Sequence, residues 1–118
     1  MILVAKCRLG YPCRYHGLPV QSPALVKKLQ GKKHKLICPE CEMGLGVPRP
    51  PIRKRGNKYI CGDRDITSLI AAYNTSTIKK LYGVDFFVGT KGSPCCDPQT
   101  GAFALTLKEA NIKTVLSL

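Results

Sequence analysis

A chain of 118 residues has room for one domain with a modest core, and a hydrophobic content of 44% excludes an intrinsically disordered segment. Nineteen Lys and Arg against seven Asp and Glu give a formal net charge of +12, which favours polyanions such as nucleic acid or nucleotides, or else marks a Lys-rich solvated surface. Seven cysteines, with no secretory leader and no apolar run long enough to span a membrane, point away from a disulfide scaffold and toward a cytoplasmic metal or redox protein.

In chain order, Ile2-Leu3-Val4-Ala5 is fully apolar, as expected of a central parallel strand. Cys7 to Gly17 is rich in Gly and Pro and reads as a loop carrying two thiols, two arginines, two tyrosines and one histidine. Ser22 followed by Pro23 opens a helix whose apolar face is Ala24, Leu25, Val26 and Leu29; Gly31 closes it. A second strand is expected near Lys35–Cys38, broken by Pro39. Pro48, Pro50 and Pro51 then give an extended segment, and Arg53 to Lys58 reads as a basic turn before a Tyr59-Ile60 strand, a hairpin excursion whose tip either grips phosphates or is merely solvated.

Asp65 or Thr67 caps the next predicted helix, which runs to about Leu81 with Leu69, Ile70, Tyr73, Ile78 and Leu81 available for burial. Val84 to Val88 is a third strand, Gly89 to Gly101 a turn-rich loop, Phe103 to Asn111 a short helix and Ile112 to Leu118 a last strand. This alternation predicts an α/β fold: residues 1–118 as a single three-layer domain, Rossmann-like, with a mostly parallel sheet and a small hairpin excursion. Ligands of such sheets bind beyond the carboxyl ends of the strands. Cys7, Cys38 and Cys96 each follow a different strand end, so they are expected to converge despite their separation in sequence.

Cys38-Pro39-Glu40-Cys41 is by itself a weak metal signal, because zinc ribbons need a second such pair. A thioredoxin-like pair opens a helix, and the Gly and Pro residues after Cys41 argue against one here. Thiolates converging from separate loops suit iron–sulfur clusters as well as zinc.

Four blocks, in order along nearly the whole chain, carry a resemblance to a known family. They are Cys7-Arg8-Leu9-Gly10 with Cys13-Arg14-Tyr15-His16-Gly17; Cys38-Pro39-Glu40 with Gly44-Leu45 and Pro48-Arg49-Pro50; Asp63-Arg64-Asp65-Ile66-Thr67; and Ser93-Pro94-Cys95-Cys96. Together they resemble the small iron–sulfur thiouracil desulfidase family. The resemblance implies a four-iron four-sulfur cluster held by Cys7, Cys38 and Cys96, with one iron open to the sulfur of a thiolated pyrimidine. It further implies an enzyme that removes that sulfur by transfer to the open iron and attack of water. Glu40 is the expected base, Ser93 positions water or substrate, and Arg14, Tyr15 and Arg49 bind the substrate.

The implied partner is a thiolated nucleobase or nucleotide, or a thiolated tRNA, with no membrane. Cys13 stands where some family members have Val and is expected to be dispensable; Cys41 and Cys95 stand where Cys is not the rule, and Cys61 is expected to be buried. His16 replaces the family's Asp, and Asp97 its Gly after the last cysteine. Two other readings stand beside this one. One is a zinc-binding, nucleic-acid-binding module using Cys38, Cys41, Cys95 and Cys96, or a mixture with Cys7 and Cys13; the other is a thiol redox protein built on Cys38 and Cys41.

Overall fold

In the computed structural model, which describes residues 1–18 and 22–118, the chain-order elements are strand β1 (Ile2–Ala5), a 3-10 turn (Lys6–Leu9), helix α1 (Pro23–Leu29) and strand β2 (His34–Ile37). A helical turn α2 (Pro39–Glu42) follows, then strands β3 (Ile52–Arg55), β4 (Lys58–Cys61) and β5 (Arg64–Asp65). Helix α3 (Thr67–Ile78), strand β6 (Phe86–Val88), helix α4 (Ala102–Glu109) and strand β7 (Lys113–Val115) complete the fold.

The apolar run at residues 2–5 becomes an inner strand of a four-stranded parallel sheet ordered β2-β1-β6-β7. The strand period sends Leu3 and Val4 to opposite faces, and the register pairs Leu3 with Phe87 and Val4 with Val88. Leu3 and Phe87 pack with Ile70 of α3 and with Phe103 and Leu107 of α4. Val4 and Val88 pack with Leu25 and Leu29 of α1. Helices on both faces make the three layers. Phe87 meets Phe103 edge to face at 5.5 Å between ring centroids, and burying side chains of this size stabilises the fold by about 1.5–3 kcal/mol each.

Ser22 caps α1 as expected, whereas the cap position of α3 is Ile66, with Asp65 bonding the first turn from one residue earlier. Ser22 Oγ accepts the Leu25 N–H at 3.4 Å, with Pro23 as the first residue of α1. Asp65 Oδ1 accepts the Thr67 N–H at 3.0 Å at the start of α3. The excursion is an antiparallel sheet of three short strands, β3-β4-β5. Ile52, Tyr59 and Cys61 turn toward the core, which leaves Arg53, Arg55 and Lys58 on the outward face of the hairpin.

Four elements differ from expectation. Helix α3 stops at Ile78 rather than near Leu81. The third strand begins at Phe86 because Asp85 is occupied otherwise: its N–H bonds the Met1 carbonyl and its carboxylate takes the N-terminal amine, each at 3.0 Å. The last strand is confined to Lys113–Val115. Residues Pro39–Glu42 form a helical turn where a loop was expected, since Pro at a first helical position is preorganised for it.

Strand β1 leads to β2 on one side, and the chain then returns to β6 on the other side of β1. The crevice above β1 and β6 is therefore the point where the strand order reverses, the usual ligand site of an open parallel sheet. Among the described residues, no helix is long and apolar enough to cross a membrane.

Candidate metal centre

Beyond the carboxyl ends of β1, β2 and β6 lies a cleft of about 290 Å³ lined by Cys7, Cys13, Cys38, Cys96, Glu40 and Ser93, with Arg14 and Tyr15 also in its wall. Cys7 arrives on the 3-10 turn after β1, Cys38 is the cap residue of α2 after β2, and Cys96 lies on the loop after β6. Convergence of the three strand-end thiols is what the topology predicts, and they are all buried.

The backbone around each thiol is held. Cys7 Sγ lies 3.1 Å from the hydroxyl of buried Thr90, and the Thr90 N–H bonds the Cys96 carbonyl at 3.0 Å. The Cys38 N–H donates to Glu42 Oε2 at 3.3 Å, while Glu42 Oε1 accepts the Tyr73 hydroxyl at 2.8 Å, tying the α2 turn to α3. Ser93 Oγ accepts the Cys96 N–H at 3.0 Å and the Cys95 N–H at 3.4 Å, which leaves its own proton free to point into the cleft. Two glycines permit this loop. A Cβ on Gly89 would lie 1.9 Å from the Cys96 carbonyl oxygen, and one on Gly101 would lie 2.4 Å from that of Cys95.

Glu40 and Arg49 form a buried pair. Arg49 Nη2 meets Glu40 Oε2 at 2.5 Å, with the two side chains 1% and 14% exposed. The guanidinium also donates to the carbonyls of Cys13 at 3.0 Å and Gly46 at 2.7 Å. Arg49 therefore stands behind the cleft wall, clamping Glu40 and the 10–17 loop, rather than reaching into the cleft as a substrate ligand. Burial opposes its charge, yet the Glu40 carboxylate raises its pKa above the ordinary value. Tyr15 lies at the rim, 39% exposed, and its carbonyl accepts the Arg49 N–H at 2.8 Å.

The departures from the family pattern have local explanations. His16 is exposed, and its Nδ1 accepts the Leu18 N–H at 3.0 Å, a loop-shaping role. Asp97 accepts the N–H groups of Gly92 and Gln99, each at 2.8 Å, which lowers its carboxyl pKa and organises the loop carrying Cys96. Cys41 bonds the Cys13 carbonyl at 3.5 Å and does not line the cleft. Cys61 is half-buried against the Pro50 carbonyl at 3.3 Å rather than fully buried.

Cys13 also lines the cleft. The Cys13 side chain, against the cost of burial, lowers the Cys7 and Cys38 thiols each to about 6, and the Cys38 thiol lies 3.8 Å from the Cys13 carbonyl. Cys13 itself is pushed up, since its proton is held by its two neighbours. Burial raises Cys95 and Cys96; a bound cation is what would draw the proton from Cys96.

All seven cysteines are free thiols. Among the described residues, no three His, Cys, Asp or Glu side chains gather closely enough to hold a single metal ion. The zinc set of Cys38, Cys41, Cys95 and Cys96 is not assembled, because Cys95 is 1% exposed inside the apolar core and Cys41 lies outside the cleft. A multi-iron cluster makes a different demand. Its ligands bind separate corner irons and so surround a larger volume, and soft thiolates are its usual donors. Buried thiols from three strand ends around one cleft fit that group.

The sequence model of the 2-thiouracil desulfurase family matches residues 2–116. The Bacillus subtilis (strain 168) protein YbbK is 41% identical over 51 residues, 43% of this chain; the match spans 34% of the length of that relative. Among solved structures, the 4Fe-4S-dependent thiouracil desulfidase TudS superposes with a TM-score of 0.84 at 23% identity, covering 97% of this chain and 88% of that one, which establishes the shared fold.

Proposed function

This chain belongs to the 2-thiouracil desulfurase family, and from that premise we propose that its 118 residues act as one iron–sulfur desulfidase domain that removes sulfur from a thiolated pyrimidine. The observation that carries this reading is the gathering of Cys7, Cys38, Cys96, Glu40 and Ser93 around one cleft at the strand-order switch. Cys7, Cys38 and Cys96 would hold a four-iron four-sulfur cluster. When bound, it supplies a Lewis acid to the thiocarbonyl sulfur and so makes the attached carbon electrophilic.

The residues of the chain do the rest. Arg49 engages one oxygen of Glu40 and fixes the carboxylate beside the cleft. The other oxygen takes a proton from the water that attacks the carbon. The Ser93 hydroxyl, already oriented by the Cys96 N–H, donates to the pyrimidine and sets its angle. Arg14 and Tyr15 form the wall nearest solvent and orient the ring. The C=S bond is exchanged for C=O, water supplies the oxygen and two protons, and sulfide leaves; no electrons are gained or lost.

The substrate class is a thiolated uracil as base, nucleotide or part of an RNA such as tRNA. The net charge and the outward Arg53, Arg55 and Lys58 support a phosphate-bearing form. The test is sulfide release from 2-thiouracil and from thiolated RNA by anaerobically reconstituted protein. Glu40→Gln is expected to lower the rate about 100-fold or more at unchanged iron content. Full cluster occupancy without release from any thiolated pyrimidine would overturn the proposal.

A further inference from the structure

The strand ends that bring thiols to the cleft also bring cations to a second cavity beside it. This cavity, of about 270 Å³, is lined by Arg8, Arg14, Ser22, Thr90, Lys91 and Leu116. Arg14 and Thr90 belong to the walls of both spaces. After β1, Cys7 lines the cleft and the next residue, Arg8, lines the second cavity. After β6, Thr90 stands between the two and Lys91 lines the second only.

The polar groups of this cavity have donors to offer. Arg8 Nη1 donates to the carbonyls of Gly89 at 2.7 Å and Leu116 at 2.8 Å, which fixes the guanidinium and leaves Nε and Nη2 without a partner among the described residues. Ser22 Oγ accepts the Leu25 N–H at 3.4 Å and keeps its own hydrogen to donate. No carboxylate neutralises the three cations: the ion pairs among the described residues are Met1 with Asp85 and Arg49 with Glu40. Asp97, close to Lys91 along the chain, is turned to the N–H groups of Gly92, Gln99 and Thr100. Three like charges around one space repel one another, and an anion placed among them removes that repulsion. Two guanidiniums and an ammonium suit phosphate, since each fork can bind two oxygens and the ammonium acts as a point charge.

We propose that this cavity is a phosphate subsite, and that cleft and cavity together take a thiolated uridine nucleotide, with the ring in the cleft and the phosphate among Arg8, Arg14 and Lys91. For its sulfur-bearing half the proposal rests on the desulfidase reading above, and it names the substrate class: a phosphate ester of the nucleoside rather than the free base. The ribose crosses beside Arg14 and Thr90, the residues common to both walls. A phosphate held there fixes how far the pyrimidine enters the cleft, a constraint that the free base lacks. A free monophosphate and a phosphodiester within RNA offer the same chemistry, and the experiment separates them.

The first measurement is calorimetric binding to the reduced, cluster-free protein at low salt. The probes are 2-thiouridine 5′-monophosphate, 2-thiouridine, and a dinucleotide in which the 5′-phosphate of 2-thiouridine is a diester. Wild type is expected to bind the monophosphate about tenfold or more tighter than the nucleoside. Lys91→Glu and Arg8→Met are expected to reduce that preference to about twofold or less. Lys79→Glu, which alters the net charge as Lys91→Glu does but lies at the end of α3, is expected to keep it. Lys91 has no hydrogen-bond or ion-pair partner among the described residues, so its variant tests the subsite even if Arg8→Met, which loses two backbone contacts, folds poorly. A monophosphate bound tighter than the dinucleotide assigns the subsite to free nucleotides; a dinucleotide bound equally or tighter assigns it to RNA. The second measurement is kcat/KM of the reconstituted enzyme for the monophosphate relative to 2-thiouracil, a ratio expected to fall about tenfold in Lys91→Glu. Equal binding of nucleotide and nucleoside by wild type, or a preference that survives both substitutions, would overturn the subsite and leave the desulfidase reading intact. A phosphate preference in the cluster-free protein, with no sulfide released from any thiolated pyrimidine after reconstitution, would overturn the desulfidase reading and leave the subsite standing.

Discussion

Replacing Arg49 by Met separates a clamp from a substrate ligand. The side chain is 1% exposed, and its guanidinium holds Glu40, the Cys13 carbonyl and the Gly46 carbonyl. Breaking a buried ion pair by removing one partner costs about 3–5 kcal/mol. Glu40, at 14% exposure, can be partly rehydrated, which brings its share nearer to about 2 kcal/mol. The Gly46 carbonyl loses this donor and the Cys13 carbonyl keeps only the weak thiol donors of Cys38 and Cys41, which adds roughly 1 kcal/mol in all, since the loop can open to water. A loss of about 3 kcal/mol is thus expected, a large part of the stability of a small domain. With an unfolding entropy of roughly 0.25 kcal/mol/K for a chain of this length, Tm should fall by about 12 °C.

The assay is thermal unfolding of reduced, cluster-free wild type, Arg49→Met, Glu40→Gln and the double variant. The double-mutant cycle should return a coupling of about 1–3 kcal/mol between the two positions. A Tm within about 3 °C of wild type, with only substrate affinity reduced, would refute the clamp and restore Arg49 to the substrate-binding surface.

Gly89→Ala places a methyl group against the Cys96 carbonyl oxygen; it should cost about 2–3 kcal/mol in chemical denaturation and lower the iron taken up per chain on reconstitution. Ser93→Ala removes the acceptor of the Cys96 N–H and the donor to the ring, so desulfuration should slow about tenfold or more while the cluster spectrum persists. Asp65 has its carboxyl pKa lowered by the N–H of Thr67, so its contribution is present above the unfolded pKa and lost as the pH falls through the lower folded value. Urea midpoints from about pH 5 to about pH 2 should show this loss in wild type, and an Asp65→Asn variant should lack it. Changing Arg53, Arg55 and Lys58 together to Glu should weaken binding of single-stranded RNA and reduce the slope of log affinity against log salt by about 2, as fluorescence anisotropy would measure.

What the sequence discloses is whatever local chemistry decides. The run at residues 2–5 has no polar residue to place outward, so it is an inner strand, and Ser22-Pro23 can hardly be anything but a helix start. The convergence of three cysteines follows from strand ends alone, because a parallel sheet puts all its carboxyl ends on one edge. The shortened third strand was hidden, since it depends on Asp85 meeting the N-terminal amine across 84 residues. The Arg49 clamp was hidden for the same kind of reason: Arg49 sits after a proline-rich loop, and nothing local says whether its side chain turns inward. Thr90 and Glu42 were missed as supports of Cys7 and Cys38, as neither belongs to a recognisable ligand spacing. The helical turn of α2 formed against expectation, because Gly44 ends a helix without preventing one turn before it.

The whole account stands on iron being seated between the three strand ends. Anomalous diffraction at the iron edge from crystals grown and reconstituted without oxygen tests this directly. It should place the iron signal in the cleft among the sulfurs of Cys7, Cys38 and Cys96. An iron signal elsewhere, or a lone zinc bound by Cys38 and Cys41 with the cleft empty, would contradict it.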